Sequence, residues 1–220
     1  MDSFIVTIDG PAGSGKSTIA KMIAKKYNFT YLDTGAMYRM IALYVIRHNI
    51  DLENKKEIEE MLKNVKLDIQ GNTFYLNGED VSEAIRTPEV SKIVSPVAAI
   101  KEVRVKLVDM QREISFGKRI ILDGRDMGTT VFPKADVKIF LIASPEIRAK
   151  RRLKEYDEKG IAATYEEVLE SIKERDYIDS TRKESPLVKA QDAHEIDSSK
   201  LNIDDVLKEI SAYIDKKIGE

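Results

Sequence analysis

An α/β fold built on a five-stranded parallel sheet is what this sequence predicts, and three observations lead there. Short apolar runs alternate with amphipathic helical stretches along most of the chain, the order of a parallel sheet whose crossovers are helices. The 220 residues allow one sizeable core, or a core with a small appended module, and are too few for two full domains. One stretch departs from the alternation, with strand signals spaced for hairpins rather than crossovers.

The first strand runs from Phe4 to Ile8 and ends at a glycine-rich turn. The helix after it puts Ile19, Ile23 and Tyr27 on one face. A second strand, Tyr31 to Asp33, follows. The exceptional stretch comes next: Val65, Leu67 and Ile69 at period two, a Gly71-Asn72 turn, Phe74 and Leu76 at period two, then Asn77-Gly78. Core strands flank this antiparallel meander, so residues 57–96 read as an inserted module and 1–56 with 97–220 as the core. The remaining strands are Arg119 to Asp123, Val137 to Ile142 and a weakly marked His194 to Asp197. Ser144-Pro145-Glu146 caps a helix with proline at its first position, and Thr164 with Glu167 has capping-box spacing. The closing helix aligns Ile203, Val206, Leu207, Ile210 and Ile214.

Composition excludes several classes of function. Lys+Arg 36 nearly balances Asp+Glu 38, leaving a net charge of -2, so no large basic field is available to neutralise the phosphates of a nucleic acid. The absence of cysteine removes disulfides, thiolate catalysis and Cys-ligated metal centres. The N-terminal residues lack a basic and apolar leader pattern, and no 18-residue apolar run occurs, so the expectation is a cytoplasmic protein without a membrane partner.

Gly10-Pro11-Ala12-Gly13-Ser14-Gly15-Lys16-Ser17 satisfies G-x-x-x-x-G-K-[ST], between a strand and a helix, and Thr18 continues it into that helix. Glycines let successive amides turn inward around an anion, and the helix N-terminus adds a favourable dipole. Lys16 can reach the β- and γ-phosphates of a nucleoside triphosphate, and the Ser17 hydroxyl can ligate Mg²⁺. The expectation is a three-layer P-loop fold. A P-loop leaves kinase, GTPase, motor and transporter open. Asn54-Lys55-Lys56-Glu57 has Glu where guanine recognition needs Asp and precedes the third core strand, which disfavours a GTPase.

In open α/β sheets ligands bind beyond the carboxyl ends of the strands. Asp33 ends the second strand and leads into Thr34-Gly35-Ala36-Met37-Tyr38-Arg39, and the third ends in Asp123-Gly124-Arg125-Asp126. Asp123 can hold Mg²⁺ directly or through water. Val168, Ile172, Arg175, Asp179 and Arg182 share one helical stripe that begins apolar, which projects the last three toward a polar cavity. Arg148, Lys150, Arg151, Arg152 and Lys154 crowd one segment, read as a short basic lid over 148–163 that brings Arg148 and Arg152 over the transferred phosphoryl group. His48 and His194, the only histidines, lack a neighbouring nucleophile or metal-ligand pattern, and Ser185 and Thr181 lack a general base.

The chain resembles bacterial cytidylate kinases, nucleoside monophosphate kinases of the P-loop class, over essentially its full length. The motifs are Ile8-Asp9-Gly10-Pro11, Leu32-Asp33-Thr34-Gly35-Ala36-Met37-Tyr38-Arg39, Gly78-Glu79-Asp80-Val81-Ser82-Glu83-Ala84-Ile85-Arg86-Thr87, Asp123-Gly124-Arg125-Asp126-Met127-Gly128-Thr129 and Lys173-Glu174-Arg175-Asp176. The resemblance implies transfer of the γ-phosphoryl group of ATP, with Mg²⁺, to CMP or dCMP by a monomer. It places the acceptor's base against Ser95, Arg104 and Asp126, its sugar near Arg175 and Asp179, and its phosphate near Arg39, Arg125 and Arg182, with Asp33, Thr34 and Tyr38 also on the acceptor side. Cytosine's N4 donor suits a carboxylate or hydroxyl, and its N3 and O2 acceptors suit a guanidinium. Competing readings are a P-loop kinase for another small acceptor, such as UMP, and a regulatory switch that hydrolyses nucleotide slowly.

Overall fold

A computed structural model describes residues 3–219. In chain order the elements begin with β1 (Phe4–Asp9), α1 (Lys16–Tyr27), β2 (Thr30–Asp33), α2 (Thr34–His48) and α3 (Lys55–Asn64). The hairpin strands β3 (Leu67–Gln70), β4 (Thr73–Leu76) and β5 (Glu79–Asp80) precede α4 (Pro88–Ala99) and α5 (Lys101–Ser115). The chain then forms β6 (Arg119–Gly124), β7 (Val137–Ile142), α6 (Pro145–Glu158), α7 (Tyr165–Thr181), β8 (His194–Asp197) and α8 (Ile203–Ile218). Among the described residues no helix is long and apolar enough to cross a membrane.

The chain divides into two compact units. The larger takes in the chain up to Leu32, Ser115–Thr181 and the chain from Ser185 on. It holds a five-stranded sheet in the order β2-β6-β1-β7-β8, and β1 pairs in parallel with both β6 and β7 while β8 extends β7 in parallel. The weakly marked last strand is therefore a true edge of the sheet. Val6, Ile8, Ile121, Ile139 and Leu141 pack with Ile19 and Ile23 of α1 and Val206, Ile210 and Ile214 of α8. Burying an isoleucine of this kind contributes about 2 kcal/mol. A satellite core of Ala149, Val168 and Ile172 joins α6 to α7. The register matters for chemistry: Ile8 lies beside Asp123 and Asp9 beside Gly124, which sets two carboxylates at the carboxyl ends of the central strands.

The smaller unit spans Asp33–Ile114 with Arg182–Glu184. It is wider than the 57–96 expected, because α2 packs against α4 and against the short 3₁₀ turn Ala84–Arg86, and α2 also reaches β4. Its β3, β4 and β5 form an antiparallel sheet, and Asn77 and Gly78 both take positive φ, the geometry of a type I′ hairpin turn. Asp33 caps α2 by accepting from the Ala36 amide at 2.9 Å, and its other oxygen accepts from Arg86 at 2.7 Å. The Arg86 guanidinium also lies over the Phe74 ring, tying the hairpin sheet to the start of α2.

Candidate active site

The loop between β1 and α1 is fixed by close backbone approach. Gly10 has φ +148, and a Cβ there would fall 2.0 Å from the Leu141 carbonyl oxygen, so only glycine lets the chain leave β1 against β7. Gly13 and Gly15 also take positive φ, and α1 begins at Lys16 with the Gly15 carbonyl accepting from the Ile19 amide. Lys16 is buried, and its Nζ donates to the Pro11 carbonyl at 2.7 Å and to Ser14 Oγ at 3.4 Å. Burial, and next the positive charge of Arg125, hold its pKa well below that of an ordinary lysine.

At the end of β6, Asp123 accepts from Ser17 Oγ through Oδ2 and from the Tyr31 hydroxyl through Oδ1, both at 2.7 Å. A hydroxyl and a carboxylate side by side next to the phosphate loop suit Mg²⁺, a hard cation that takes few protein oxygens and completes its shell with water and nucleotide phosphates. No group of three or more acidic, His or Cys side chains able to hold a metal occurs among the described residues.

Arg125 donates from Nε to Asp179 at 2.9 Å. Burial works against its charge, yet the charge and hydrogen bond of Asp179, together with the charges of Asp123 and Asp176, raise its pKa. Arg175, one turn before Asp179 on α7, has a buried Nε without a hydrogen-bond partner. Its pKa falls to about 10, first through burial and next through repulsion from Arg125. Asp179 thus pairs with Arg125, the residue just past β6, rather than with Arg175 on its own helix, and the shared stripe puts Val168, Ile172 and Asp179 on the buried face.

Asp9 is a site residue that sequence reasoning quoted without a role. Its two oxygens accept from the Met127 amide at 2.8 Å and the Gly128 amide at 2.7 Å. These amides open a turn of the i+5 type over Met127–Val131, in which the Asp126 carbonyl accepts from Thr130 and Val131. Burial raises the Asp9 pKa to about 6, opposed by those amide bonds. The only sequence signal for it is the one that marked Asp123: a carboxylate closing an apolar strand.

Within the smaller unit, Arg39 donates to the Ile85 carbonyl at 3.2 Å and to Ser91 Oγ at 3.0 Å. Ser91 is a further contributor that carries no local mark in the sequence. Arg104 donates to the Ala98 carbonyl at 3.1 Å, and its guanidinium lies 5.4 Å from the centre of the Tyr38 ring. Thr34, Tyr38, Ser95, Arg104 and Arg182 are all buried.

The basic segment is the helix α6. Arg148 is only 3% exposed and engaged on several sides: Nε donates to the Ala143 carbonyl, Nη1 to the Ala12 carbonyl, and both terminal nitrogens to Asp176. Through Ala12 it contacts the phosphate loop itself, and Asp176 with the Ala143 carbonyl holds it there. Arg152 is more exposed and pairs with Glu155 at 3.4 Å.

Comparison with known proteins adds the chemistry of relatives. Residues 6–216 match the family model described as cytidylate kinase. A cytidylate kinase of Fusobacterium nucleatum subsp. nucleatum is 62% identical over 216 residues, covering 98% of this chain and 99% of that protein. One from Clostridioides difficile is 50% identical over 214 residues, covering 97% and 99%. Among solved structures, an uncharacterized protein from Eubacterium ventriosum superposes with a TM-score of 0.55 at 14% identity, covering 98% of this chain and 99% of that one. A shikimate kinase from Bacteroides thetaiotaomicron gives 0.50 at 12% identity, covering 97% and 99%. At such low identity these two speak to the fold alone, whereas the sequence relatives and the family match, nearly end to end, establish that the chain belongs to the cytidylate kinase family.

Proposed function

We propose that the chain transfers the γ-phosphoryl group of ATP to the phosphate of CMP or dCMP, giving ADP and CDP or dCDP. The observation that carries this reading is the set of cations formed by buried Lys16 and half-buried Arg125 and Arg175, in which Arg125 disfavours the charge of each of the other two. Mutually repelling charges in a low-dielectric site are costly in the absence of anions and become favourable once phosphates arrive. The choice of a cytidine nucleotide rests on the family.

In this reading Gly10, Pro11, Ala12, Gly13, Ser14, Gly15, Lys16, Ser17 and Thr18 surround the donor's triphosphate. Ser17 and Asp123 would hold Mg²⁺, which when bound neutralises phosphate charge. Ser95, Arg104 and Asp126 take the acceptor's base, Arg175 and Asp179 its sugar, and Arg39, Arg125 and Arg182 its phosphate, with Asp33, Thr34 and Tyr38 shaping the acceptor side. Of the arginines on α6, Arg152 is the one we assign to the transferred group. The acceptor oxygen is an anion near neutral pH, so no strong general base is needed and alignment with charge stabilisation supplies the acceleration. The enzyme acts in the cytoplasm as a monomer in this reading, which light scattering checks for the oligomeric state.

The test is a coupled-enzyme assay of ADP release with ATP and Mg²⁺ across CMP, dCMP, UMP and AMP. The highest kcat/KM is expected with CMP or dCMP. Preference for UMP or AMP, or release independent of any monophosphate, would refute the proposal.

A further inference from the structure

We infer that Arg148 and Arg151, one turn apart on α6, orient two peptide units of the phosphate loop from behind and so aim the amides that receive the donor's phosphates. Arg148 Nη1 donates to the Ala12 carbonyl at 3.2 Å and Arg151 Nη1 to the Ser14 carbonyl at 3.3 Å. A trans peptide sets its C=O and N–H on opposite sides, and no cis bond occurs among the described residues. Holding the carbonyls of Ala12 and Ser14 toward α6 therefore turns the amides of Gly13 and Gly15 the other way, into the concave side of the loop. Both glycines have positive φ, +76 and +97, a backbone that side-chain-bearing residues resist.

The two arginines are themselves fixed. Arg148 is clamped by the Asp176 carboxylate of α7 at 3.1 and 2.6 Å and by the Ala143 carbonyl at 2.8 Å. Arg151 Nη2 donates to the Ser198 carbonyl at 2.7 Å, and its Nη1 lies 3.2 Å from Ser198 Oγ. Ser198 is buried just past β8, and its hydroxyl stands 3.1 Å from the Ser14 carbonyl and 3.0 Å from that of Ile142, donating to one at a time. The Ser14 carbonyl therefore has the Arg151 donor on it and the Ser198 hydroxyl within reach. Amides already aimed at a phosphate need no reorganisation when it binds, which is where oriented dipoles gain their strength. Arg148, Arg151 and Ser198 are positioning residues in this account, since none need touch the substrate.

The inference rests on the loop being the triphosphate cradle, and inorganic tripolyphosphate probes it without a base or sugar. Arg151→Lys should weaken tripolyphosphate and ATP by the same factor, about tenfold, with CMP affinity within twofold of wild type by calorimetry. Ser198→Ala should act in the same direction by about threefold. In the nucleotide-free protein, the Gly15 amide resonance should move in both variants. Arg148→Lys loosens a buried, multiply bonded group and can cost folding, so the other two variants carry the test. Unchanged tripolyphosphate affinity and an unmoved Gly15 resonance, with only a lower Tm, would overturn the inference. So would an effect on ATP that tripolyphosphate does not share, which would mark a contact with the base. Wild-type protein that failed to bind tripolyphosphate would instead refute the cradle itself, and the inference with it.

Discussion

The Ser17 hydroxyl donates to Oδ2 of Asp123 at 2.7 Å, joining the start of α1 to the end of β6 across 106 residues of sequence. The Tyr31 hydroxyl fixes the other carboxylate oxygen, so both oxygens have set directions. Asp123→Asn keeps the shape and removes the charge. It should raise the Mg²⁺ concentration for half-maximal rate by about tenfold while leaving metal-free ATP affinity little changed. Coinciding Mg²⁺ titrations for variant and wild type would take Asp123 out of the metal site.

Lys16 is positioned for function at the expense of stability. A folded-state pKa held well below the unfolded value means that the charged ammonium disfavours the native state at neutral pH. Lys16→Met, similar in length and without charge, should therefore leave Tm unchanged or raised while turnover falls by about a hundredfold or more. Thermal unfolding and steady-state rates on one preparation separate the two effects. Near wild-type turnover would remove Lys16 from the transfer step.

Asp9 gives a pH signature with a definite sign. Its folded pKa of about 6 stands above the ordinary 3.8, so the native state keeps a proton that the unfolded chain has released between those values. Its contribution to stability is complete below the unfolded value and declines as pH rises through about 6, by about 3 kcal/mol at most. Urea unfolding of wild type and Asp9→Asn should show their free-energy difference shifting against wild type by up to that amount across the window. A difference independent of pH would mean that Asp9 ionises like an exposed carboxylate.

The strands were legible because their signals are local: apolar runs of the right length and, at Asn77-Gly78, a dipeptide that tolerates two positive φ values. The edges of the smaller unit were not, since an amphipathic helix such as α2 carries the same pattern whatever it docks against, and its partner α4 lies some forty residues on. The same contrast holds in the site. The glycine loop is contiguous, and the α7 stripe follows one helical period. Asp9 meets amides 118 and 119 residues away, and Arg148 pairs with an Asp176 28 residues on, pairings that only the fold creates.

Asp126 offers the sharpest test of acceptor choice. It is buried, its carbonyl accepts from Thr130 at 2.8 Å and Val131 at 3.2 Å, and the amides of the next two residues are held by Asp9. The backbone beneath its carboxylate is thus pinned, and a substitution there changes chemistry more than position. A carboxylate can only accept, which suits the amino group of cytosine and opposes the carbonyl that uracil carries in its place. Asp126→Asn introduces a donor that can satisfy uracil, so the ratio of kcat/KM for CMP over UMP should fall by about tenfold or more, chiefly through a higher KM for CMP. Steady-state kinetics with both nucleotides at saturating ATP measure the ratio. An unchanged ratio would move base discrimination from Asp126 to the Ser95 and Arg104 side of the acceptor.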